Sequence, residues 1–444
     1  MTRSAFVIAC GLFAGCSSAG SNPGGNPDAS HAPNDGRTGG DGSIPIDSPS
    51  SSPDATGPMN GVYSIPLTTP SGGDQGEFYM PALTASGKTF KLDLDTGSTV
   101  TGIAGTGCST CSGMSPLYAP GSSASATGNK DQASYADNSG WSGSIYSDTV
   151  ALDHGTPNVP LDFVDITSQS TNPEFFAGND YQGIFGMGPA ALLDPGTTAY
   201  FDAVTSAGVA KVMGFELCPT DGTMWLGGYD ETHVASPVQY TPLLSTGVNA
   251  DFYSVDMTAM AIGGTNLGIS AATFDNPVVD TGTSLFYIPS AAETALIKDL
   301  NANAAFKSVF AGQTLTDPTT SNSSTAGCVT ASAGTSSATV DAMLPKLSLT
   351  FSGVGGGSIT ISASALASYF YDTGGGQFCL AVFGGGDQGN ATMGDAFMRA
   401  FVTVIDVANK KVGFAPTSHC TAPEMVGPRS RLTERGRGPH HVHP

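Results

Sequence analysis

The sequence carries the same short element twice, and this repetition limits the possible folds more than any other feature. The first copy is an apolar strand pattern that ends in Asp95-Thr-Gly-Ser, and the second is one that ends in Asp280-Thr-Gly-Thr. Each copy has a downstream companion that ends in glycine, Ile-Phe-Gly186 and Thr-Met-Gly394. One Asp-Thr-Gly triplet would mean little, but two copies with companions in the same order predict two related halves.

The composition favours β structure. Among 444 residues there are 59 glycines and 29 prolines, and only 12% of the residues are charged. Such a chain is a poor candidate for a helical bundle or a coiled coil. The formal net charge of −21 argues against nucleic-acid binding, which needs a basic surface. No apolar run reaches the roughly 18 residues of a membrane-spanning helix. We therefore predict an all-β fold without an integral membrane span.

The N-terminus predicts export. Residues 1–15 combine one basic residue with a ten-residue apolar stretch, which is typical of a signal peptide. The stretch ends in Leu12-Phe-Ala-Gly-Cys16, which is similar to a bacterial lipoprotein signal cleaved before a lipid-modified Cys16. An ordinary secretory signal cut nearby is the alternative. We expect either an extracellular protein or one anchored to an outer membrane through its lipid.

Two further segments differ from the rest of the chain. Residues 16–60 are rich in Gly, Pro, Ser, Asn and Asp, so they cannot offset the entropy of ordering and predict a disordered tether. Residues 421–444 carry Arg and His among Pro and Gly, which predicts a disordered basic tail. The remainder divides into an N-terminal lobe, 61–243, and a C-terminal lobe, 244–420, with one Asp-Thr-Gly element in each.

Several other motifs accompany the duplicated element. They are Ser134-Tyr135-Ala-Asp137-Asn-Ser139-Gly-Trp-Ser-Gly143, Trp225-Leu-Gly-Gly-Tyr-Asp, Phe252-Tyr-Ser-Val-Asp-Met and the C-terminal Thr403-Val-Ile-Asp-Val. In their order and spacing they resemble the pepsin-like aspartic peptidases over residues 61–420. The resemblance implies a bilobal, mostly antiparallel β fold with a catalytic cleft between the lobes. It also implies a monomeric aspartic endopeptidase that acts on proteins or peptides without a cofactor or a metal.

The resemblance assigns Asp95 and Asp280 to a catalytic dyad. Two carboxylates about 3 Å apart cannot both ionise, so they share one proton and supply both a base and an acid at low pH. Supporting roles follow for the residues after each aspartate. The threonines would bond across the pseudo-twofold axis, the glycines would offer backbone N–H groups, and the hydroxyls would bond the outer carboxylate oxygens. These residues are Thr96, Gly97, Ser98, Thr281, Gly282 and Thr283.

The resemblance also identifies a flap over the cleft. Tyr135 matches the flap tyrosine, on a hairpin that carries Asp137 and Ser139 and is expected to close over the substrate. Two departures stand out. Ala136 replaces the usual glycine, and Gly102 stands where most relatives carry a tryptophan that bonds the flap tyrosine. Trp141 is a candidate to compensate sterically.

A substrate preference follows from strand geometry. Side chains alternate along a strand, so Asp93 lies on the same face as Asp95 while Leu92 and Leu94 face the core. Asp93 and Asp137 would place negative charge near the pocket before the scissile bond. We predict cleavage after Lys as well as after bulky apolar residues. The alternative is that both carboxylates are solvated and have no influence on specificity.

The cysteine count predicts disulfides. Of eight cysteines, Cys10 lies in the signal and Cys16 is the lipidation candidate, which leaves six in an exported protein. The resemblance implies two pairs, and the last two cysteines would form the third. The pairs are Cys108–Cys111, Cys328–Cys379 and Cys218–Cys420.

Two other functions fit parts of the sequence. A non-catalytic lipoprotein of the same fold, which binds peptides or inhibits other enzymes, would need neither Asp95 nor Asp280. A surface adhesion lipoprotein would account for the tether but leaves the duplicated element unexplained. The sequence therefore favours an exported aspartic endopeptidase.

Overall fold

The computed structural model describes residues 60–70, 78–135, 138–171, 175–176, 181–274, 276–319, 325–386 and 391–420. Several predicted features lie outside these residues. They are the signal, the lipidation candidate Cys16, the tether up to residue 59, the basic tail, and the flap residues Ala136 and Asp137.

Short strands dominate the described part of the chain. They are β1 Tyr63–Thr68, β2 Ala82–Ala85, β3 Lys88–Lys91, β4 Asp93–Asp95, β5 Gly102–Ala104, β6 Ser125–Ser134, β7 Gly140–Leu152, β8 Val159–Gln169, β9 Gly183–Gly186, β10 Val212–Leu217, β11 Asp221–Leu226, β12 Gln239–Pro242, β13 Met257–Ile262, β14 Thr265–Asn266, β15 Val278–Val279, β16 Phe286–Tyr287, β17 Cys328–Thr330, β18 Leu347–Ser352, β19 Ser358–Ala363, β20 Phe370–Gly374, β21 Gln377–Leu380, β22 Val382–Phe383, β23 Thr392–Met393, β24 Phe401–Asp406 and β25 Lys411–Pro416.

The helices are few and short. The α-helices are α1 Tyr200–Ser206, α2 Ser290–Ala302, α3 Ala304–Val309, α4 Ser337–Met343 and α5 Asp395–Met398, and single 3-10 turns occur at Ala190–Leu192, Glu231–His233 and Ala271–Thr273. Of the helices in these ranges, none is long and apolar enough to cross a membrane.

The two Asp-Thr-Gly elements lie in equivalent strand arrangements. In the first half, β4 pairs in parallel with β9, β9 pairs antiparallel with β5, and β5 pairs in parallel with β8. In the second half, β15, β23, β16 and β22 repeat these three pairings in the same order and with the same directions. The predicted all-β fold with two related halves is confirmed.

A six-stranded sheet joins the halves. Its order is β1-β11-β10-β24-β25-β12, so strands from early and late in the chain lie side by side. The junction is the antiparallel pairing of β10 with β24, in which Phe215 is opposite Thr403. Because backbone hydrogen bonds along this pairing link the two halves, the sheet gives them a common base.

The first half also forms an eight-stranded sheet with the order β3-β2-β7-β8-β5-β9-β4, to which β6 pairs through β7. The long β6–β7 hairpin is the predicted flap. At the other end of the sheet, Leu92 and Leu94 are fully buried in the main apolar cluster, as their alternation predicts. Asp93 and Asp95 take the opposite face, but they are also buried, with 0% and 5% of their surfaces exposed.

Three disulfides link the six cysteines of the described residues. They join Cys108 to Cys111, Cys218 to Cys420 and Cys328 to Cys379. These are the pairs expected from the sequence. The Cys218–Cys420 bond attaches the end of the described chain to the residue that follows β10.

Candidate active site

The two repeated loops bring Asp95 and Asp280 into direct contact. A Cβ atom added to Gly97 would lie 2.7 Å from Cγ of Asp280, and one added to Gly282 would lie 2.5 Å from Oδ1 of Asp95. Real Cβ atoms do not approach other atoms this closely. Each glycine is therefore needed because the carboxyl group from the other loop occupies the space that a side chain would take.

The threonines that follow the aspartates hold the loops together. The backbone N–H of Thr96 donates to Oγ1 of Thr281 (3.1 Å), and the N–H of Thr281 donates to Oγ1 of Thr96 (3.0 Å). Each hydroxyl also donates to the strand before the other loop, Thr96 to the Val279 carbonyl (3.0 Å) and Thr281 to the Leu94 carbonyl (2.8 Å). These four buried bonds fix the separation of the two loops.

Each carboxyl group accepts hydrogen bonds from its own loop. Asp95 accepts from the Gly97 N–H at Oδ1 (2.7 Å) and from the Ser98 hydroxyl at Oδ2 (2.5 Å). The second loop repeats the arrangement on Asp280, with the Gly282 N–H at 2.9 Å and the Thr283 hydroxyl at 2.6 Å. The pair is therefore oriented symmetrically, with matched donors on both sides.

Burial and mutual repulsion act on this pair. Burial is the largest cause that raises the pKa of Asp280 well above its ordinary value, and the negative charge of Asp95 adds to it. A hydrogen bond between the two carboxyl groups acts in the same direction, whereas the bonds from Thr283 and Gly282 oppose it. The two carboxyls can thus hold one proton between them where isolated aspartates would both be ionised.

Comparison with known proteins agrees with this geometry. The family model described as "Eukaryotic aspartyl protease" matches residues 82–417, which is most of the chain. The chain belongs to the eukaryotic aspartyl protease family. It is a peptide hydrolase of the aspartic type.

Curated relatives are similar over most of their length. "Aspartic protease" from Phaffia rhodozyma is 27% identical over 349 residues, which cover 78% of this chain and 78% of the relative. "Polyporopepsin" from Irpex lacteus is 28% identical over 75% of this chain and 92% of its own. "Rhizopuspepsin" from Rhizopus chinensis is 26% identical over 81% and 83% of the two chains.

Neighbouring aromatic side chains hold Tyr135 in position on the β6–β7 hairpin. Nε1 of Trp141 donates to the Tyr135 hydroxyl at 3.0 Å, and both side chains are buried. The Tyr135 ring also stacks on Phe175, with a centroid distance of 5.1 Å. At the turn, the Tyr135 N–H donates to the Ser139 carbonyl (2.9 Å), and Asn138 has a positive φ of 62°. Trp141 therefore compensates by a hydrogen bond as well as by its bulk.

Packing in the sheet leaves little space for a side chain at Gly102. Gly102 lies in β5 between β8 and β9, and an added Cβ would be 3.0 Å from Cδ1 of Ile166. A larger side chain would displace Ile166 and Ile184 from the core. The Tyr135 hydroxyl instead accepts from Trp141 on the same hairpin.

Sequence reasoning missed one carboxyl group at this site of the protease. Asp395 begins α5, is fully buried, and interacts electrostatically with Asp93, Asp280 and Asp95. Burial raises the pKa of Asp395 well above its ordinary value, and the nearby Arg399 lowers it in part. The available signal was a difference between the repeats, since Asp395 follows Gly394 where Met187 follows Gly186.

Arg399 is itself held by a buried phenol. Nε of Arg399 donates to the Tyr79 hydroxyl (3.1 Å), which in turn donates to the Cys218 carbonyl (2.6 Å). The Tyr79 backbone carbonyl accepts from the N–H of Leu94, next to Asp95. The guanidinium that lowers the pKa of Asp395 is thus held from the side of β4.

Proposed function

We propose that the chain is an endopeptidase that cleaves peptide bonds at acidic pH through Asp95 and Asp280. The observation that carries this proposal is the contact of two buried carboxyl groups, each oriented by its own loop and packed against the glycine of the other loop. Peptide binding alone would not require such a pair, because burying two like charges is costly. The alternative, a non-catalytic peptide-binding lipoprotein of the same fold, does not explain why the protein buries this pair at a cost in free energy.

The mechanism assigns a different role to each carboxyl group. The coupled pair shares one proton, and the reaction begins from the state in which Asp280 holds it. The Asp95 carboxylate accepts a proton from a water molecule as that water attacks the peptide carbonyl carbon. Asp280 donates its proton to the carbonyl oxygen, which gives a neutral tetrahedral diol. When the C–N bond breaks, the proton now on Asp95 passes to the leaving amine, and a diol hydroxyl returns its proton to Asp280.

The direct test is digestion of denatured haemoglobin across pH 3–7, with and without pepstatin. We expect cleavage that is strongest at acidic pH and that pepstatin abolishes. Asp95→Asn should be inactive under all conditions. Binding of the substrate without cleavage at any pH would instead support the non-catalytic alternative.

The flap hydrogen bond predicts a measurable loss of activity. Trp141→Phe keeps a six-membered aromatic ring but removes the five-membered ring with its Nε1 donor, so the Tyr135 hydroxyl loses this partner at 3.0 Å. We expect kcat/KM to fall by about tenfold, which corresponds to one hydrogen bond of roughly 1.4 kcal/mol. Tyr135→Phe, which removes the same bond from the other side, is the matched variant. If Trp141 acts by positioning Tyr135, the double variant should be no worse than the poorer single one, and additive losses would contradict this role.

We further propose that the cleft accepts Lys, as well as bulky apolar residues, before the scissile bond. Asp93 supports this proposal because it lies on the Asp95 face of β4, two residues from the dyad. Asp93 is completely buried in this structure, so the ammonium group of a substrate Lys would contact it only once the substrate is bound and the cleft has closed around it. In a peptide library, Asp93→Asn should lower kcat/KM for Lys peptides about tenfold relative to Leu peptides. Complete exclusion of Lys by the parent enzyme would refute the preference.

We also propose that the protein is exported and carries a lipid on Cys16, with lobes 61–243 and 244–420 between a tether, 16–60, and a basic tail, 421–444. The support is the sequence pattern of these segments. Cys16→Ser should release the protein from the membrane fraction. Limited proteolysis should cut first within 16–60 and 421–444, and first cuts inside either lobe would contradict the proposed boundaries.

A further inference from the structure

A group of possible metal ligands lies beside β10 of the six-stranded sheet and comes from residues 216, 233 and 419 of the chain. They are Glu216 on β10, His233 at the end of the Glu231–His233 turn, and His419 near the end of the described chain. One ligand atom from each residue lies within 4.8 Å of the others. None of the three lies in the strands and loops that position Asp95 and Asp280.

Glu216 is a buried and oriented carboxylate. Only 2% of its surface is exposed, which is unusual for a glutamate that has no lysine or arginine partner in the described residues. The Thr417 hydroxyl donates to Oε1, and Oε2 contacts Nδ1 of His233. One oxygen is thus held by the protein while the other faces the imidazole.

The His233 ring is oriented from two further sides. It packs edge-on against Trp225, with a centroid distance of 5.0 Å. Its second nitrogen, Nε2, lies 4.0 Å from Oδ2 of Asp230. Histidines that bind a metal through one ring nitrogen commonly donate from the other to a carboxylate. At 4.0 Å Asp230 is beyond hydrogen-bond distance, so it would become such an outer partner when the ring turns towards it.

His419 is close to both residues because of a disulfide bond next to it. It precedes Cys420, whose disulfide to Cys218 ties it to the chain two residues beyond Glu216. The His419 ring stacks on His233 with a centroid distance of 3.9 Å and an angle of 16°. Two ligands of a tetrahedral Zn²⁺ are about 3.4 Å apart, so ligation needs His419 to rotate out of the stack. Its exposed position permits this rotation.

We propose that Glu216, His233 and His419 form a Zn²⁺ site that fastens the C-terminal segment to the six-stranded sheet. Two imidazoles and one carboxylate are a donor set that suits Zn²⁺, and a water molecule completes four-coordination. The family resemblance implied no metal, and the sequence alone gives no signal for this site because its residues are separated by up to 203 positions, without the short spacing of a zinc motif. The site is structural in this proposal and takes no part in peptide hydrolysis.

The test measures Zn²⁺ binding by isothermal titration calorimetry at neutral pH in the full chain. Because the tail carries His440, His441 and His443, these are first changed to Asn to give the background protein. We expect one Zn²⁺ per chain in this background. His419→Asn should weaken binding about 100-fold, since even outer partners of a metal site contribute roughly 10–100-fold. Asp230→Asn, which removes such a partner, should weaken it about tenfold.

Control variants separate the site from general effects. His154→Asn replaces another exposed histidine, at a position whose φ of 65° suits Asn, and should leave Zn²⁺ binding unchanged. Zn²⁺ should raise Tm in the background protein and in His154→Asn but not in His419→Asn or Glu216→Gln. The proposal fails if the background protein binds no Zn²⁺, or if His419→Asn binds it as tightly as His154→Asn.

Discussion

Asp280→Asn is expected to lower kcat/KM by about 10⁴-fold or more at acidic pH. In the proposed mechanism Asp280 is the proton donor and one of the two carboxyls that share a proton. Asparagine has nearly the same shape, and its Oδ1 can still accept from the Gly282 N–H at 2.9 Å. Its Nδ2 would take the place of the oxygen that accepts from the Thr283 hydroxyl at 2.6 Å, and it could donate to that hydroxyl instead. Asparagine cannot donate a proton to the substrate carbonyl oxygen or take one back. The measurement is steady-state kinetics on a fluorogenic peptide at pH 4.

A matched control distinguishes lost chemistry from lost structure. Asp153 is an exposed aspartate, and Asp153→Asn should keep full activity. Asp280→Asn should unfold at the same temperature as the parent or slightly higher, since it removes a buried like-charge contact. Activity of Asp280→Asn within tenfold of the parent would refute the assignment of the dyad.

The free energy of unfolding is expected to be highest near pH 4 and to fall by several kcal/mol as the pH rises to 7.5. Burial raises the pKa of Asp165 to about 6 and that of Glu293 to about 7. A carboxyl whose pKa is higher in the folded than in the unfolded state stabilises the fold fully below the unfolded value. That contribution is lost as the pH rises through the folded value, at about 1.4 kcal/mol per pKa unit.

The two carboxyls therefore contribute roughly 2–3 kcal/mol each to the decline. Asp280 and Asp395, whose pKa values are also raised by burial, act in the same direction. Asp148 acts oppositely. Although burial favours its neutral form, bonds from Ser86, Ser123, Thr149 and Tyr118 lower its pKa, so its contribution is lost only as the pH falls below about 4.

Urea denaturation between pH 3 and pH 8 measures this profile. Glu293→Gln removes one titrating group, and its amide oxygen can still accept from the Thr319 hydroxyl. We expect the decline between pH 4.5 and 7 to be smaller by roughly 2–3 kcal/mol in this variant. Glu231→Gln, at an exposed glutamate, is the control and should follow the parent. A stability that is constant or rises over this interval would contradict the account.

The features that the sequence predicted well are local ones. Asp95 ends β4, Asp280 follows β15, and each is followed by Thr-Gly, so covalent neighbours place the carboxyl, the N–H donor and the hydroxyl within one loop. Because this loop occurs twice in the sequence, the second copy indicates which carboxyl group pairs with the first. The alternation of Leu92 and Leu94 with Asp93 also follows from the period of a strand and needs no knowledge of the rest of the fold.

The Trp141 hydrogen bond was only partly predictable. The sequence showed a glycine at position 102 instead of the expected tryptophan, and it showed Trp141 six residues after Tyr135. Whether its Nε1 reaches the hydroxyl depends on the register of the β6–β7 hairpin, in which Ala133 is opposite Trp141. A shift of one residue would turn the indole to the other face of the flap.

The sequence by itself indicated the side chains that we propose for the chemistry, because the carboxyl, the glycine N–H and the hydroxyl lie within a few residues of each other. Only the tertiary structure decided which distant groups surround them. Asp395 lies beside the dyad because β23 pairs with β15, and Glu216 lies beside His419 because a disulfide returns the chain end to β10. The physical reason is that sheet pairing determines which residues are neighbours in space, and that burial and neighbouring charges determine their pKa values. Neither depends on how far apart the residues are along the chain.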